Sequence, residues 1–206
     1  MITYIDKVDV TDTQQELSLS TQQDWDYVKP WNNPADVATS TLAPDAMHKG
    51  QPPAREVDRI NLIWHQDRDT IPWYQDPAWR QRPLEISQHG EQFPKTIKFW
   101  KDYWQQQGST LGRAFFSRVP PGCQIYPHTD AAWGPDTALW SSVTRYGVVV
   151  ETNLDCMLTA DNQSIHVPEG TLYYFDKSKI HSATNPGITP RTHLYMDVFG
   201  TKSIEL

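Results

Sequence analysis

Between Arg113 and Phe199 the chain falls into short β-prone runs separated by tight-turn signals, and this rhythm limits what it can fold into. The runs are RAFFSRV (113–119), CQIYP (123–127), VTRYGVVVET (143–152), CMLTA (156–160), QSIHV (163–167), TLYYF (171–175) and RTHLYMDVF (191–199). PPG, NLD, ADN, PEG and NPGITP punctuate them, and glycine, proline, asparagine and aspartate in such clusters mark turns. Seven or eight short strands so spaced predict a jelly-roll barrel or sandwich. Sixteen prolines against ten glycines also argue against a helical bundle.

The first half of the chain reads differently. Residues 1–53 are polar and proline-studded, and are expected to form an irregular arm that packs Trp25, Tyr27 and Trp31 onto the core. AREVDRINLIW (54–64) suits either a short strand or a helix, and PWYQDPAWRQRP (72–83) a loop. FPKTIKFWKDYWQQQG (93–108) is the strongest helix, with Ile97, Trp100 and Trp104 on one face and Gly108 as its stop. That tryptophan stripe is expected to pack into the core. The chain is therefore predicted to be a single, mainly β domain over 1–206. A helical and irregular flank (1–108) would precede a jelly-roll core (109–206).

A net charge of −7 and a pI near 5.4 leave no basic face for nucleic acid. Cys123 and Cys156 have neither CxxC nor framework spacing, and read as buried thiols in a reducing compartment. The N-terminus lacks the basic start and apolar run of a signal peptide, and no stretch approaches the ~20 apolar residues of a membrane span. These features predict a cytoplasmic protein that engages no membrane.

YPHTDAAW (126–133) contains the chemistry. Residues two apart on a strand share a face, so His128 and Asp130 can offer an imidazole and a carboxylate to one cation. H-x-D alone is common. A third ligand, His181, follows the strand run TLYYF, and two histidines with one carboxylate form the facial triad of non-haem Fe(II) oxygenases. Arg191, ten residues later, opens the last strand run, where a guanidinium can pair bidentately with a dicarboxylic acid inside the barrel. A lone strand histidine is more often a satisfied polar residue and a lone arginine a surface one; the ordered combination points to function.

The segment from Phe115 to Gly200 resembles the aspartyl/asparaginyl β-hydroxylase family of 2-oxoglutarate- and Fe(II)-dependent oxygenases. FFSRVPPGCQIYPHTD is similar to that family's entry into its metal motif, and TRYGVVVETN to its R-x-H-x-x-L strand. PEGTLYYFDKSKIHSATNPGITPRTHLYMDVF is similar to its G-x-x-x-x-F-D…H-x-x-x-N…R-x-x-L-x-x-D-V ending. The resemblance implies a double-stranded β-helix, a cupin-like barrel. It implies His128, Asp130 and His181 as catalytic iron ligands, and Arg191 on the distal carboxylate of 2-oxoglutarate with the Ser117 hydroxyl beside it. Arg145 would lie near the cosubstrate's other end, although Gly147 stands where the family often has histidine. Fe(II), 2-oxoglutarate and O₂ would together hydroxylate an amino-acid unit, free or within a peptide or protein.

Three further residues bear on substrate. Arg113 has the strand parity of Ser117, and so is expected to point into the pocket and hold a substrate carboxylate. Trp133 and Trp140, between Asp130 and Arg145, could form a lid over the iron or merely cover the barrel mouth. His65, His89, His166 and His193 read as structural, with His193 the nearest rival as a ligand. Arg118 is expected to face away from the pocket. The competing reading is a non-catalytic cupin-like protein that binds a metal or small acid; the intact set of Asp130, two histidines and Arg191 argues against it. Asp130 also argues against halogenation, which needs that position vacated for halide.

Overall fold

The computed structural model describes residues 1–21, 25–28, 57–65, 83–128 and 143–200. Among the described residues, twelve strands and two α-helices make two antiparallel sheets with helices on one outer face. The strands are β1 (Ile2–Lys7), β2 (Asp26–Val28), β3 (Val57–His65), β4 (Leu84–Ile86), β5 (Thr110–Val119) and β6 (Cys123–His128). They continue with β7 (Thr144–Glu151), β8 (Met157–Ala160), β9 (Gln163–Ile165), β10 (Thr171–Phe175), β11 (His181–Asn185) and β12 (Arg191–Phe199). Helix α1 is Thr11–Ser18 and α2 is Pro94–Gln106. The main sheet runs β1-β10-β7-β12-β5-β3-β2, with β4 added to β3; the smaller sheet runs β6-β11-β8-β9. The mainly β jelly-roll expected from the turn rhythm is what forms.

Both faces of the main sheet are buried. One face presents Ile60, Leu62, Phe116, Tyr146, Val148, Val150, Leu194, Met196 and Val198 to the helices, where Leu17, Ile97, Trp100 and Trp104 meet them. The other face presents Trp64, Phe115, Val149, Tyr173, Phe175 and Tyr195 to Leu158, Ala160 and Ala183 of the smaller sheet. Consequently Val148, Val149 and Val150 are all fully buried although they alternate faces, and β12 lacks any polar-out period. Each fully buried apolar side chain in these layers contributes roughly 1.5–3 kcal/mol.

Helix α2 forms where its apolar period predicts, with Trp100 and Trp104 buried and Trp104 packed on Tyr146 at 4.5 Å between ring centroids. Gly108 ends it at φ +71, as Ser109 N–H reaches Trp104 C=O at 2.8 Å and Gly108 N–H reaches Gln105 C=O at 3.0 Å. Its other end has no side-chain cap of its own. Instead the buried Glu16 carboxylate of α1 accepts the backbone N–H groups of Lys95 and Thr96 at 2.8 and 2.9 Å, and the Thr96 hydroxyl at 2.7 Å. An anion at a helix N-terminus satisfies otherwise orphaned donors and the helix dipole.

The N-terminal region departs from the expected irregular arm. Ile2–Lys7 is a strand paired with β10, and Thr11–Ser18 a helix that packs on α2. Trp25 is buried as an anchor, with the Arg118 guanidinium 3.8 Å over its ring; Trp31 lies outside the described residues. The stretch with undecided period is strand β3, and the division at residue 108 fails because β1 and β3 are integral to the main sheet. The reason β3 hid is a bulge: the pairing steps from Asn61↔Phe115 to Ile63↔Ala114. Ile60, Leu62 and Ile63 therefore share the helix side while Trp64 turns inward, which destroys a simple alternation. Among the described residues no helix is long and apolar enough to cross a membrane.

Candidate active site

His128 ends β6 and His181 begins β11, and the two are direct partners in the antiparallel pairing. Their ring centroids are 4.2 Å apart. The pairing contains an irregularity between Ala183↔Ile125 and His181↔His128. Without it, the inward position of Ile125 would turn His128 out; the bulge brings both imidazoles to the inner face. The His181 ring is buried against Phe175 at 4.7 Å, and its Nδ1 lies 2.9 Å from Lys179 C=O. A carbonyl only accepts, so Nδ1 carries the proton, and Nε2 of the neutral ring is the nitrogen able to bind a metal. Two of the three expected ligands thus converge. Asp130 lies outside the described residues, and among those described no group of three ligating side chains forms.

Arg191 is 1% exposed at the start of β12. Asn185 fixes this end of the barrel: its side-chain amide donates to Val119 C=O at 2.8 Å, and Val119 is the strand partner of Arg191. Nη2 of Arg191 donates to His193 Nδ1 at 3.2 Å, while Nη1 is buried with no hydrogen-bond partner among the described residues. A guanidinium taken out of water without an anion costs several kcal/mol. Ser117, buried on β5, sits directly across from His193.

His193, expected from the sequence to be structural, lies beside Arg191. It shares the face of Arg191, two residues along β12, and is part of the polar interior. Its Nδ1 also lies 2.6 Å from Tyr173 Oη, and Tyr195 Oη lies 3.3 Å from that same phenol oxygen. Because guanidinium can only donate, Nδ1 accepts and the proton is on Nε2. Burial, and then the neighbouring Arg191 charge, hold the imidazole well below its ordinary pKa, so it is neutral. Burial and the Tyr195 phenol push Tyr173 well above the ordinary tyrosine range.

Arg113 and Arg145 also point inward, as strand parity predicts for Arg113, but both are engaged. Asp197, fully buried on β12, accepts Nε of Arg113 at 2.7 Å, and Nε and Nη2 of Arg145 at 2.8 and 3.2 Å. Burial alone would raise the Asp197 carboxyl; the two guanidiniums outweigh it and hold it well below the usual carboxylate range. Both cations stack on rings, Arg113 4.8 Å over Trp64 and Arg145 5.5 Å from Phe115. Arg59, on β3 opposite Ser117, adds a further interior guanidinium 3.7 Å over Phe115. Arg118 faces the other way and pairs with Asp58 at 2.9 Å. Trp133 and Trp140 lie outside the described residues.

Asp197 and Arg59, which share this interior, were not among the candidates read from the sequence, and His193 was read as structural. The D of the R-x-x-L-x-x-D-V ending was a usable signal for Asp197; Arg59 had none, because the β3 bulge hides its parity.

The donor set fits a divalent transition metal and a small dicarboxylate: imidazole pairs suit Fe(II), and the guanidinium floor suits a carboxylate. The chain is 32% identical over 84 residues to the L-proline cis-4-hydroxylase of Rhizobium meliloti (strain 1021), a match that covers 41% of this chain and 28% of that protein. A 2OG-Fe(II) oxygenase family oxidoreductase from Burkholderia pseudomallei aligns with TM-score 0.46 at 12% identity, over 70% of this chain and 68% of that one. The viral collagen prolyl hydroxylase of Paramecium Bursaria Chlorella virus-1 aligns with TM-score 0.41 at 13% identity, over 57% and 78%. A family model described as aspartyl/asparaginyl beta-hydroxylase matches residues 48–200, the greater part of the sequence, and the chain belongs to that family.

Proposed function

We propose that the protein is a 2-oxoglutarate- and Fe(II)-dependent dioxygenase that hydroxylates an amino-acid unit, free or within a peptide. The observation that carries this reading is the facing pair His128 and His181, held 4.2 Å apart between ring centroids at the inner face of the barrel. His128 and His181, with Asp130, would hold the iron, and Arg191 the distal carboxylate of 2-oxoglutarate beside Ser117. When bound, iron with 2-oxoglutarate and O₂ supplies an oxidant that turns a C–H bond into C–OH, the cosubstrate leaving as succinate and CO₂.

The chain's own groups supply binding, orientation and dryness. Lys179 C=O fixes the His181 tautomer, which leaves Nε2 as the nitrogen that would bind the metal. Phe175, packed at a tilt against His181, would exclude water from one side of the ligand pair. Arg191 provides an unpartnered Nη1 donor in a wall of phenols and imidazole, an arrangement complementary to a carboxylate. Asp197 clamps Arg113 and Arg145, so the roles proposed for them, Arg113 toward a substrate carboxylate and Arg145 toward the cosubstrate, are those of pre-oriented cations. The partial relative named for hydroxylating L-proline favours a small amino-acid substrate. Trp133 and Trp140 are proposed to cover it. The free, buried thiols Cys123 and Cys156 suit a reducing, cytoplasmic setting.

The test is anaerobic addition of Fe(II) and 2-oxoglutarate. A visible metal-to-ligand charge-transfer band is expected, absent in His128→Ala. Exposure to O₂ with amino-acid pools should yield succinate and a product one oxygen heavier by mass spectrometry. Wild-type protein that binds no iron and forms no succinate overturns the assignment.

A further inference from the structure

Position 147 is bare for a reason visible in the barrel. A Cβ built on Gly147 would lie 2.4 Å from both Cζ and Oη of Tyr173, so the phenol of β10 occupies the room a side chain on β7 would need. The two residues are strand partners, and Tyr195 is the partner of Gly147 on the other side. Tyr173 thus reaches across the missing side chain toward β12, and is fully buried there.

Its hydroxyl meets an over-subscribed acceptor. His193 Nδ1 has one lone pair, yet Tyr173 Oη stands 2.6 Å from it and Arg191 Nη2 3.2 Å. Arg191 Nη1 has no partner among the described residues, and His193 is kept neutral. Tyr195 Oη, at 3.3 Å, is the alternative acceptor for the Tyr173 hydroxyl, and Arg191 Nη1 is the donor left over among the described residues. One carboxylate would balance the cluster: Arg191 Nη2 keeps His193 Nδ1, while Nη1 and the Tyr173 hydroxyl both turn to the carboxylate oxygens. The Tyr173 hydroxyl and the Arg191 guanidinium, through Nη2, both adjoin His193 Nδ1, which brings them to one place.

From this arrangement we infer that Tyr173 is a cosubstrate-binding residue, donating to the same buried carboxylate as Arg191 through the space that Gly147 leaves open. His193 is the positioning residue that holds Arg191 and Tyr173 together. The inference rests on the proposed 2-oxoglutarate chemistry and adds a residue to it.

Calorimetric titration of 2-oxoglutarate into Mn(II)-loaded protein tests it without turnover. Tyr173→Phe removes only the hydroxyl, and should weaken 2-oxoglutarate about tenfold, the scale of one hydrogen bond to a charged group, with Mn(II) affinity unchanged. Gly147→Ala should weaken it comparably by displacing the phenol, and decides the matter if Tyr173→Phe proves unstable to heat. Wild-type affinity in a folded Tyr173→Phe overturns the inference and leaves the oxygenase reading intact. Wild-type protein that takes up Mn(II) but no 2-oxoglutarate removes both.

Discussion

Leu194 and Met196 leave β12 on one side and His193 and Tyr195 on the other, and the faces they join obey different rules. The helix-covered face is apolar and tryptophan-rich, and its buried acids are consumed internally, Glu16 in capping α2 and Asp58 in pairing with Arg118. The interior face carries Arg59, Arg113, Arg145 and Arg191 on neighbouring strands, with Asp197, His193 and Tyr173 among them. Two of those cations are bound to Asp197, whereas Arg191 keeps an N–H without a protein acceptor among the described residues. The helix-covered face pairs its buried charges internally, although the Trp104 indole N–H finds no acceptor among the described residues. The other retains unmet hydrogen-bonding capacity on a charged group, and that difference separates scaffold from site.

The largest effect that probes this contrast is expected at Asp197. Asp197→Asn leaves two buried guanidiniums facing a neutral amide and should lower stability by about 3–5 kcal/mol in urea unfolding. Since the folded carboxyl titrates below its unfolded value, its contribution is present above about pH 4 and lost as pH falls further. The variant should therefore lose the acid slope of the wild type. If it is as stable as wild type, the interior ion cluster is not structural.

Arg191→Met should behave in the opposite sense. Replacing a buried, incompletely paired charge by an apolar side chain of similar length is expected to leave stability unchanged or raise it by about 1–4 kcal/mol. 2-Oxoglutarate binding should disappear. A clear loss of stability would place Arg191 with the scaffold and break the distinction. The smallest effect belongs to the helix side: Glu16→Gln should cost about 1–2 kcal/mol through the weakened α2 cap and leave 2-oxoglutarate affinity untouched. A change in that affinity would show the faces to be coupled.

Much of this could be read along the chain. The strands from β5 onward, apart from β11, have β-branched and aromatic runs bounded by turn residues, and Asp161-Asn162 at φ 51 and 62 makes the hairpin that its ADN signal announces. Helix α2 was legible from its period and its terminal glycine. The spacing of His128, Asp130, His181 and Arg191 carried the candidate chemistry. Strand β11, HSATN, lacked any such composition; it is a strand because β6 and β8 pair with both of its edges. β1 was equally hidden, since its partner β10 is far along the chain.

Local chemistry therefore determined the turns, most strands, the main helix and the residue types able to hold a metal and a dicarboxylate, because those depend on neighbours close in sequence. Pairing and packing decided the rest. A bulge turned His128 inward, two distant arginines met Asp197, Glu16 reached α2 from another helix, and Tyr173 filled the space above Gly147. Each of these depends on which strand lies beside which, and in which register, and a one-residue shift in register sends the same side chain to the opposite face.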